Sequence, residues 1–285
     1  PSVASQCGLE IAQPSVVEWQ NRFDNEILQV ANDTGVPAYL MNNIFSRESQ
    51  FWPGFFHTIK EAGLGQLTDN GADTVLLWNP TFFTEFCPLV FDKSRCDLGF
   101  GNLNPDEQAT LRGALVTKVN SSCVDCTTGI DLSQANMSIN VFAQTLLANC
   151  EQAGRVVRYA AKVAPGQVSS YVDLWLFTLI NYNAGPGCLT NAVQRTVSDG
   201  KEVSFANVAS RLEDACRGSL GYIQDITGLD TSAIVFEPTL VPTPTRPASG
   251  SPTPTQPGNV PTSTPEPTQS GYPPPVPTWT QVPYP

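Results

Sequence analysis

Apolar residues recur every three or four positions through much of residues 15–215, and this spacing favours a mostly helical fold. A first helix is predicted from Ser15 to Thr34, because Ser15 and Glu18 fit a capping box and Gly35 is a suitable C-terminal stop. A second helix is predicted after Pro37. The apolar stripes comprise Leu40, Met41, Ile44 and Phe45; Ile139, Phe142, Ala143, Leu146, Leu147 and Cys150; Val172, Trp175, Leu176, Leu179 and Ile180; and Phe205, Val208, Ala209, Leu212 and Ala215.

The composition changes at Glu237. Sixteen of the 25 prolines lie between Pro238 and Pro285, mixed with threonine, serine and glycine and without apolar periodicity. Such a segment buries too little apolar surface to offset its chain entropy, so residues 237–285 are predicted to be a disordered tail or linker. Residues 1–236 are predicted to form one compact domain.

The charge balance limits the possible partners. The net charge of −11 comes from 26 acidic and 15 basic residues, so nucleic acid is not expected as a ligand. No apolar run of about 18 residues is present, and no transmembrane segment is predicted. The chain starts without a methionine or a basic and apolar leader, which suggests a mature or trimmed protein.

Eight cysteines indicate structural disulfides and an oxidising, extracytoplasmic compartment. Four of them, Cys87, Cys96, Cys123 and Cys126, lie within residues 79–135. This is the least regular part of the domain, and it is predicted to be an insertion held by its own disulfides. Zinc binding or redox chemistry at Cys123 and Cys126 is the alternative, but no second ligand pair or βαβ context accompanies them. The pairing stays open.

One carboxylate, Glu48, follows an apolar helical stripe and precedes Phe51 and Trp52. Burial among aromatic rings raises the pKa of a carboxyl group and allows it to act as a general acid. A solvated glutamate at a helix end is the ordinary alternative.

Further aromatic residues surround this position. Trp52, Phe55 and Phe56 either offer faces for stacking on sugars or belong to the core. His57 is the only histidine, so neither a multi-histidine metal site nor a histidine-based triad is expected. No metal or other cofactor is predicted.

Three separated motifs resemble those of the soluble lytic transglycosylases, a lysozyme-like family that acts on peptidoglycan. They are Glu48-Ser49, Gly63-Leu64-Gly65-Gln66-Leu67 and Asn181-Tyr182-Asn183-Ala184-Gly185-Pro186-Gly187, and the resemblance covers about residues 27–195. It implies a lysozyme-like helical domain. Two positions depart from the family pattern: Gly65 replaces a methionine, and Asn181 replaces an alanine in what is expected to be the cleft wall.

The resemblance also implies site roles. Glu48 would be the catalytic acid and then base, Ser49 would lie near the reacting sugar, and Gln66 would line the glycan cleft. The Tyr182 hydroxyl would contact the Glu48 carboxylate, and Asn183 would help to hold the sugar or the carboxylate. These five residues are the candidate catalytic and substrate-binding residues.

The reaction implied by the resemblance is cleavage of the β-1,4 bond between N-acetylmuramic acid and N-acetylglucosamine, with 1,6-anhydromuramyl products. One alternative is a hydrolytic muramidase, in which Glu61, Asp69 or Asp73 supplies a second carboxylate. For these three, solvated or helix-dipole roles are the ordinary interpretation. Another alternative is a non-catalytic peptidoglycan-binding protein. A secreted monomer is expected.

Overall fold

The computed structural model describes residues 5–55 and 61–236, all of which belong to one compact unit. The predicted tail, residues 237–285, lies outside the described residues. The mostly helical prediction is confirmed. The described residues form α-helices and short 3₁₀ turns, and their only β-structure is two isolated β-bridges. The α-helices are α1 (Gln6–Asn21), α2 (Asp24–Thr34), α3 (Ala38–Ser49), α4 (Asp69–Trp78), α5 (Pro80–Phe86), α6 (Lys93–Cys96), α7 (Pro105–Val119), α8 (Leu132–Ala161), α9 (Tyr171–Ala184), α10 (Pro186–Ser198), α11 (Phe205–Ala209) and α12 (Gly218–Thr227).

The predicted first helix is two helices. Helix α1 begins at Gln6, with Ser5 as its N-cap, and continues through Pro14. The predicted start at Ser15 is therefore too late. A proline inside a helix removes one backbone hydrogen bond, and α1 tolerates this loss. The helix is interrupted before Asp24, with Phe23 as the N-cap of α2. Helix α2 ends at Gly35, whose φ of 76° confirms the predicted stop.

The region 79–135, predicted to be the least regular part of the domain, contains α5, α6 and α7, the last of which starts with a capping box in which the Asn104 side chain accepts from the Glu107 N–H. Its four cysteines form two local disulfides, as predicted: Cys87–Cys96 and Cys123–Cys126.

A third disulfide joins Cys188 to Cys216. Cys7 and Cys150 are free thiols, so six of the eight cysteines are paired. Disulfides of this kind fit an oxidising compartment. In the part of the chain that the structure describes, no helix is both long and apolar enough to span a bilayer.

Two apolar clusters pack on α8, which contributes side chains to both. The main cluster is formed by α2, α3, α8, α9, α10 and α12, and the cysteine-side cluster by α4, α5, α7 and α8. The main cluster includes Phe23, Ile27, Leu40, Ile44, Phe45, Ile139, Phe142, Leu146, Phe177, Ile180, Val193 and Ile223. The cysteine-side cluster includes Val75, Leu76, Phe82, Phe83, Phe86, Cys87, Cys96, Phe100, Leu111, Leu115, Val141 and Ala148.

Helix α12 packs against α3 by way of polar contacts as well as apolar ones. Asn43 Nδ2 donates to the Ile226 carbonyl oxygen at 2.7 Å, and the Arg47 guanidinium lies 3.1 Å from the Asp225 carboxylate. These contacts position α12 beside the end of α3 that carries Glu48.

Candidate active site

Glu48 lies in the last turn of α3 and is half-buried. Its neighbour Ser49 is completely buried, at 0% exposure. The Ser49 Oγ lies 2.7 Å from the Leu64 carbonyl oxygen and 3.1 Å from the Phe45 carbonyl oxygen. Ser49 therefore joins the end of α3 to the glycine-rich turn, residues 62–67.

The backbone around Glu48 is strained. Gln50 and Phe51, which directly follow α3, have φ values of 52° and 61°, and Gln66 has a φ of 48°. The left-handed region costs about 1–2 kcal/mol for a residue with a side chain. Only one other non-glycine residue in the described ranges, Lys162, has a positive φ. Strain of this kind is frequent at functional sites, where the surrounding structure maintains it.

The glycine-rich turn is closed by the antiparallel pairing of Ala62 with Leu67. At Gly63 φ is 78°, a conformation that favours glycine. At Gly65 a Cβ atom would overlap the ring of Phe142 in α8. Phe142 thus explains why glycine stands where the resemblance would place a methionine.

Gln66 is buried and holds the two loops beside the site together. Its Nε2 donates to the carbonyl oxygens of Gly63, at 2.7 Å, and Gly54, at 3.3 Å. Its Oε1 is buried and has no hydrogen-bond partner among the described residues. Ser49 and Gln66 both position neighbouring segments here, and their contact with a sugar stays a prediction.

Tyr182 lies in the last turn of α9. Its hydroxyl donates to the Gly65 carbonyl oxygen at 3.0 Å, and its ring meets the Phe142 ring edge to face at 5.9 Å. Burial raises the pKa of Tyr182 well above its ordinary value, and the nearby charges of Glu48 and Glu61 raise it further. The charge of Glu48 thus acts on Tyr182, but the Tyr182 hydroxyl donates to the glycine-rich turn, and its direct contact with the Glu48 carboxylate stays a prediction.

The two asparagines beside Tyr182 have different surroundings. Asn183 is exposed, so it is accessible to a ligand. Asn181 is buried, and its Nδ2 donates to Asn149 Oδ1 and Gln152 Oε1, both at 2.8 Å. Asn181 thus packs between α8 and α9, which corrects the expectation that it alters the cleft wall.

Tyr222 of α12 is a site residue that sequence reasoning missed. It is 5% exposed, and its ring lies 6.2 Å from that of Tyr182. Its hydroxyl makes no hydrogen bond of regular geometry with the described residues, yet it is close enough to Glu48 to act as a donor to the carboxylate. Burial raises the pKa of Tyr222, and Tyr182 and Glu48 raise it further. The apolar spacing of Leu220, Ile223 and Ile226 is the signal that could have identified α12.

The three candidate second carboxylates are not equivalent. Asp69 is exposed in the first turn of α4, as the helix-dipole interpretation predicts. Asp73 forms a bidentate ion pair with Arg112, at 2.8 and 2.9 Å. Glu61 is half-buried and lies close enough to Tyr182 to influence its hydroxyl.

The aromatic residues that follow Glu48 are partly used in packing. The Trp52 ring stacks on Trp19 of α1, with centroids 6.1 Å apart, and its Nε1 donates to the Phe55 carbonyl oxygen at 3.1 Å. Phe55 is half-buried against the cysteine-side cluster. Phe56, a predicted stacking or core residue, and His57 lie outside the described residues.

Within residues 5–55 and 61–236, no group of three or more histidine, cysteine or acidic residues is arranged to hold a metal ion. No protein-family model, curated protein or solved structure matches this chain. Its function therefore has to be inferred from the site itself.

Proposed function

We propose that this protein is a secreted, monomeric enzyme that cleaves the β-1,4 bond between N-acetylmuramic acid and N-acetylglucosamine in peptidoglycan, using a lysozyme-like helical domain. The observation that carries the proposal is the position of Glu48. This half-buried carboxyl group lies near two tyrosines, the partly buried Tyr182 and the buried Tyr222, which come from helices distant in the sequence.

Glu48 is the general acid. Cleavage of a glycosidic bond requires a proton on the leaving oxygen and stabilisation of an oxocarbenium-like transition state. A partly buried carboxyl group holds its proton more readily than an exposed one. The Tyr222 hydroxyl, acting as a donor, orients the carboxyl group toward the bond.

The same residue then acts as the base. After Glu48 has protonated the leaving oxygen, its carboxylate accepts the proton of the muramyl 6-hydroxyl. The 6-oxygen bonds to C1, and a 1,6-anhydro ring closes without consumption of water. Glu48 is thereby returned to its protonated form for the next turnover.

Substrate contacts are assigned to groups around the carboxyl group. Asn183 is exposed next to Tyr182 and is available to sugar hydroxyls. Gln66 is buried, so we assign it a supporting role: its Nε2 donates to the Gly63 and Gly54 carbonyl oxygens and holds the glycine-rich turn beside the cleft. Ser49 supports both by attaching the glycine-rich turn to α3.

Incubation with purified sacculi tests this function. The wild-type protein is expected to release soluble muropeptides whose anhydro ends are one water lighter than reducing ends. Glu48→Gln should lower the release by about 100-fold or more, the scale of general acid catalysis. Glu10→Gln, which removes an exposed carboxyl group from α1, is the matched control and should leave release unchanged.

Two results would contradict the proposal. Release by Glu48→Gln at the wild-type rate would remove Glu48 from the acid role. Binding of both proteins to sacculi without any soluble product would show a peptidoglycan-binding protein instead.

A further inference from the structure

We propose that Glu61 is a second catalytic carboxylate, which accepts a proton from an attacking water and gives this site a hydrolytic route beside the anhydro route. The inference rests on the proposed function. It concerns the products of cleavage, whereas the role of Glu48 determines whether cleavage occurs.

The surroundings of the acidic residues select Glu61. Asp73 is neutralised by Arg112, and Asp69 is exposed at the start of α4. Glu61 is half-buried and makes no salt bridge with the lysines and arginines that the structure describes. Within the described ranges, Glu61 is the one of these three acids that combines partial burial with the lack of a cationic partner.

The local fold attaches Glu61 to the site. It immediately precedes Ala62, which pairs with Leu67 through two backbone hydrogen bonds of 3.2 and 2.7 Å. Within the turn so closed, the Leu64 carbonyl oxygen binds the Ser49 hydroxyl at 2.7 Å, and the Gly65 carbonyl oxygen binds the Tyr182 hydroxyl at 3.0 Å. The turn is thus held both by the helix that carries Glu48 and by the helix that carries Tyr182.

The electrostatics agree with this placement. The negative charges of Glu48 and Glu61 both raise the pKa of Tyr182, so both act on the same phenol. A pair of carboxyl groups around one bond is the usual arrangement of glycosidases that use water.

The water route conserves atoms and protons. Glu48 protonates the leaving oxygen as its bond to C1 breaks, the water oxygen bonds to C1, and the proton that the water loses passes to Glu61. Proton exchange with solvent then returns Glu48 to its protonated form and Glu61 to its carboxylate. The product has a reducing end. In the anhydro route, the 6-hydroxyl replaces water and Glu48 accepts its proton, so Glu61 is not required.

Mass spectrometry of muropeptides released from sacculi tests the proposal, with the ratio of new reducing ends to anhydro ends as the readout. The wild-type protein is expected to give both. Glu61→Gln should lower this ratio about tenfold or more while anhydro products continue to form, and Glu61→Asp should retain part of it. Asp69→Asn is the control and should leave the ratio unchanged, and thermal unfolding should verify that each variant is folded.

The outcomes separate the two proposals. A wild-type protein that forms only anhydro ends, or a Glu61→Gln ratio equal to that of the wild type, would overturn the role of Glu61 and leave the proposed function intact. A wild-type protein that releases no muropeptides would overturn both.

Discussion

The two ends of helix α9 differ in how well their polar groups are satisfied. At the N-terminal end, Ser170 and Asp173 form a capping box, Asp173 Oδ1 accepts from the Phe205 N–H at 2.7 Å, and the buried Ser169 hydroxyl donates to the Val203 carbonyl oxygen at 2.7 Å. A cleft of about 480 Å³ opens there. At the C-terminal end, around Tyr182, the backbone is strained and buried polar atoms lack regular partners.

This difference separates a structural hollow from a candidate site. A well-formed hollow is often the first hypothesis for a binding site. Here the open cleft has the satisfied contacts of a helix terminus, and Lys162, which follows Ala161 of its lining, has a positive φ. The other three non-glycine residues of the described ranges with a positive φ, Gln50, Phe51 and Gln66, lie around Glu48. Unsatisfied polar atoms and backbone strain both cost stability, so their concentration at one end indicates that function maintains them.

Alkaline unfolding should show the largest difference between the two ends. The pKa values of Tyr182 and Tyr222 are raised above the ordinary 10.0. Above pH 10 the unfolded chain therefore loses phenolic protons that the folded protein keeps, and the free energy of unfolding should fall by about 1.4 kcal/mol per pH unit for each tyrosine. Urea unfolding between about pH 9 and 11 measures this slope.

Tyr182→Phe and Tyr222→Phe should each remove one tyrosine's share of the slope, because phenylalanine does not ionise. Ser169→Ala, at the other end of α9, should leave the slope unchanged. Equal slopes in all four proteins would show that neither tyrosine is titrated differently in the folded state.

A methyl group added to a glycine should be harmful at one end of α9 only. Gly65→Ala places a Cβ against the Phe142 ring and should cost about 1–3 kcal/mol, with a loss of muropeptide release as the turn moves away from Tyr182. Gly166→Ala lines the open cleft and would meet no atom within 4 Å. Thermal unfolding of Gly65→Ala and Gly166→Ala measures the difference in stability. A Gly65→Ala protein as stable as the wild type would contradict the prediction.

Two buried hydroxyl groups should respond in opposite ways to deletion. Ser169→Ala loses a good hydrogen bond and should cost about 1 kcal/mol without an effect on muropeptide release. Tyr222→Phe removes a hydroxyl that makes no hydrogen bond of regular geometry, so the free energy of unfolding should change by less than about 1 kcal/mol. Muropeptide release should fall about tenfold, because the hydroxyl acts on Glu48. Stability and muropeptide release should be measured for both variants. Full activity of Tyr222→Phe would exclude Tyr222 from the site.

Two positive-φ residues allow the smallest comparison. Gln50→Gly, next to the site, and Lys162→Gly, at the end of α8, should each change stability by less than about 1 kcal/mol, because relief of the left-handed strain is partly offset by the greater freedom of glycine in the unfolded chain. Muropeptide release should fall only for Gln50→Gly, since its turn positions the residues after Glu48. Equal activity of the two variants would show that strain near Glu48 has no catalytic role.

Local signals predicted the elements that local chemistry determines. Gly35 ends α2 as predicted, because stop signals act within a few residues. The predicted start of the first helix at Ser15 is wrong, because the capping-box pattern of Ser15 and Glu18 lies inside α1, which continues through the exposed Pro14. The short helices α5 and α6 of the cysteine-rich region are not predicted, because helices of this length give little periodicity and are stabilised by packing.

The site was only partly predictable for the same reason. Glu48 and Tyr182 were identified from motifs, and the charge of Glu48 acts on Tyr182. Tyr222 required tertiary information, the packing of α12 on α3, which has no signature within a short stretch of sequence. Glu61 is one of three candidate second carboxylates in the sequence, and the surroundings of the three acids distinguish it.

Helix α8 links the two parts of the domain, because its side chains belong to both apolar clusters. Its Ile139, Phe142 and Leu146 belong to the main cluster, while its Val141 and Ala148 belong to the cysteine-side cluster. Deletion of the cysteine-rich region would expose that second face of α8 to water at a cost of about 25 cal/mol per Å² of apolar surface. The two halves consequently cannot be exchanged as independent modules, and the domain should unfold in one cooperative transition.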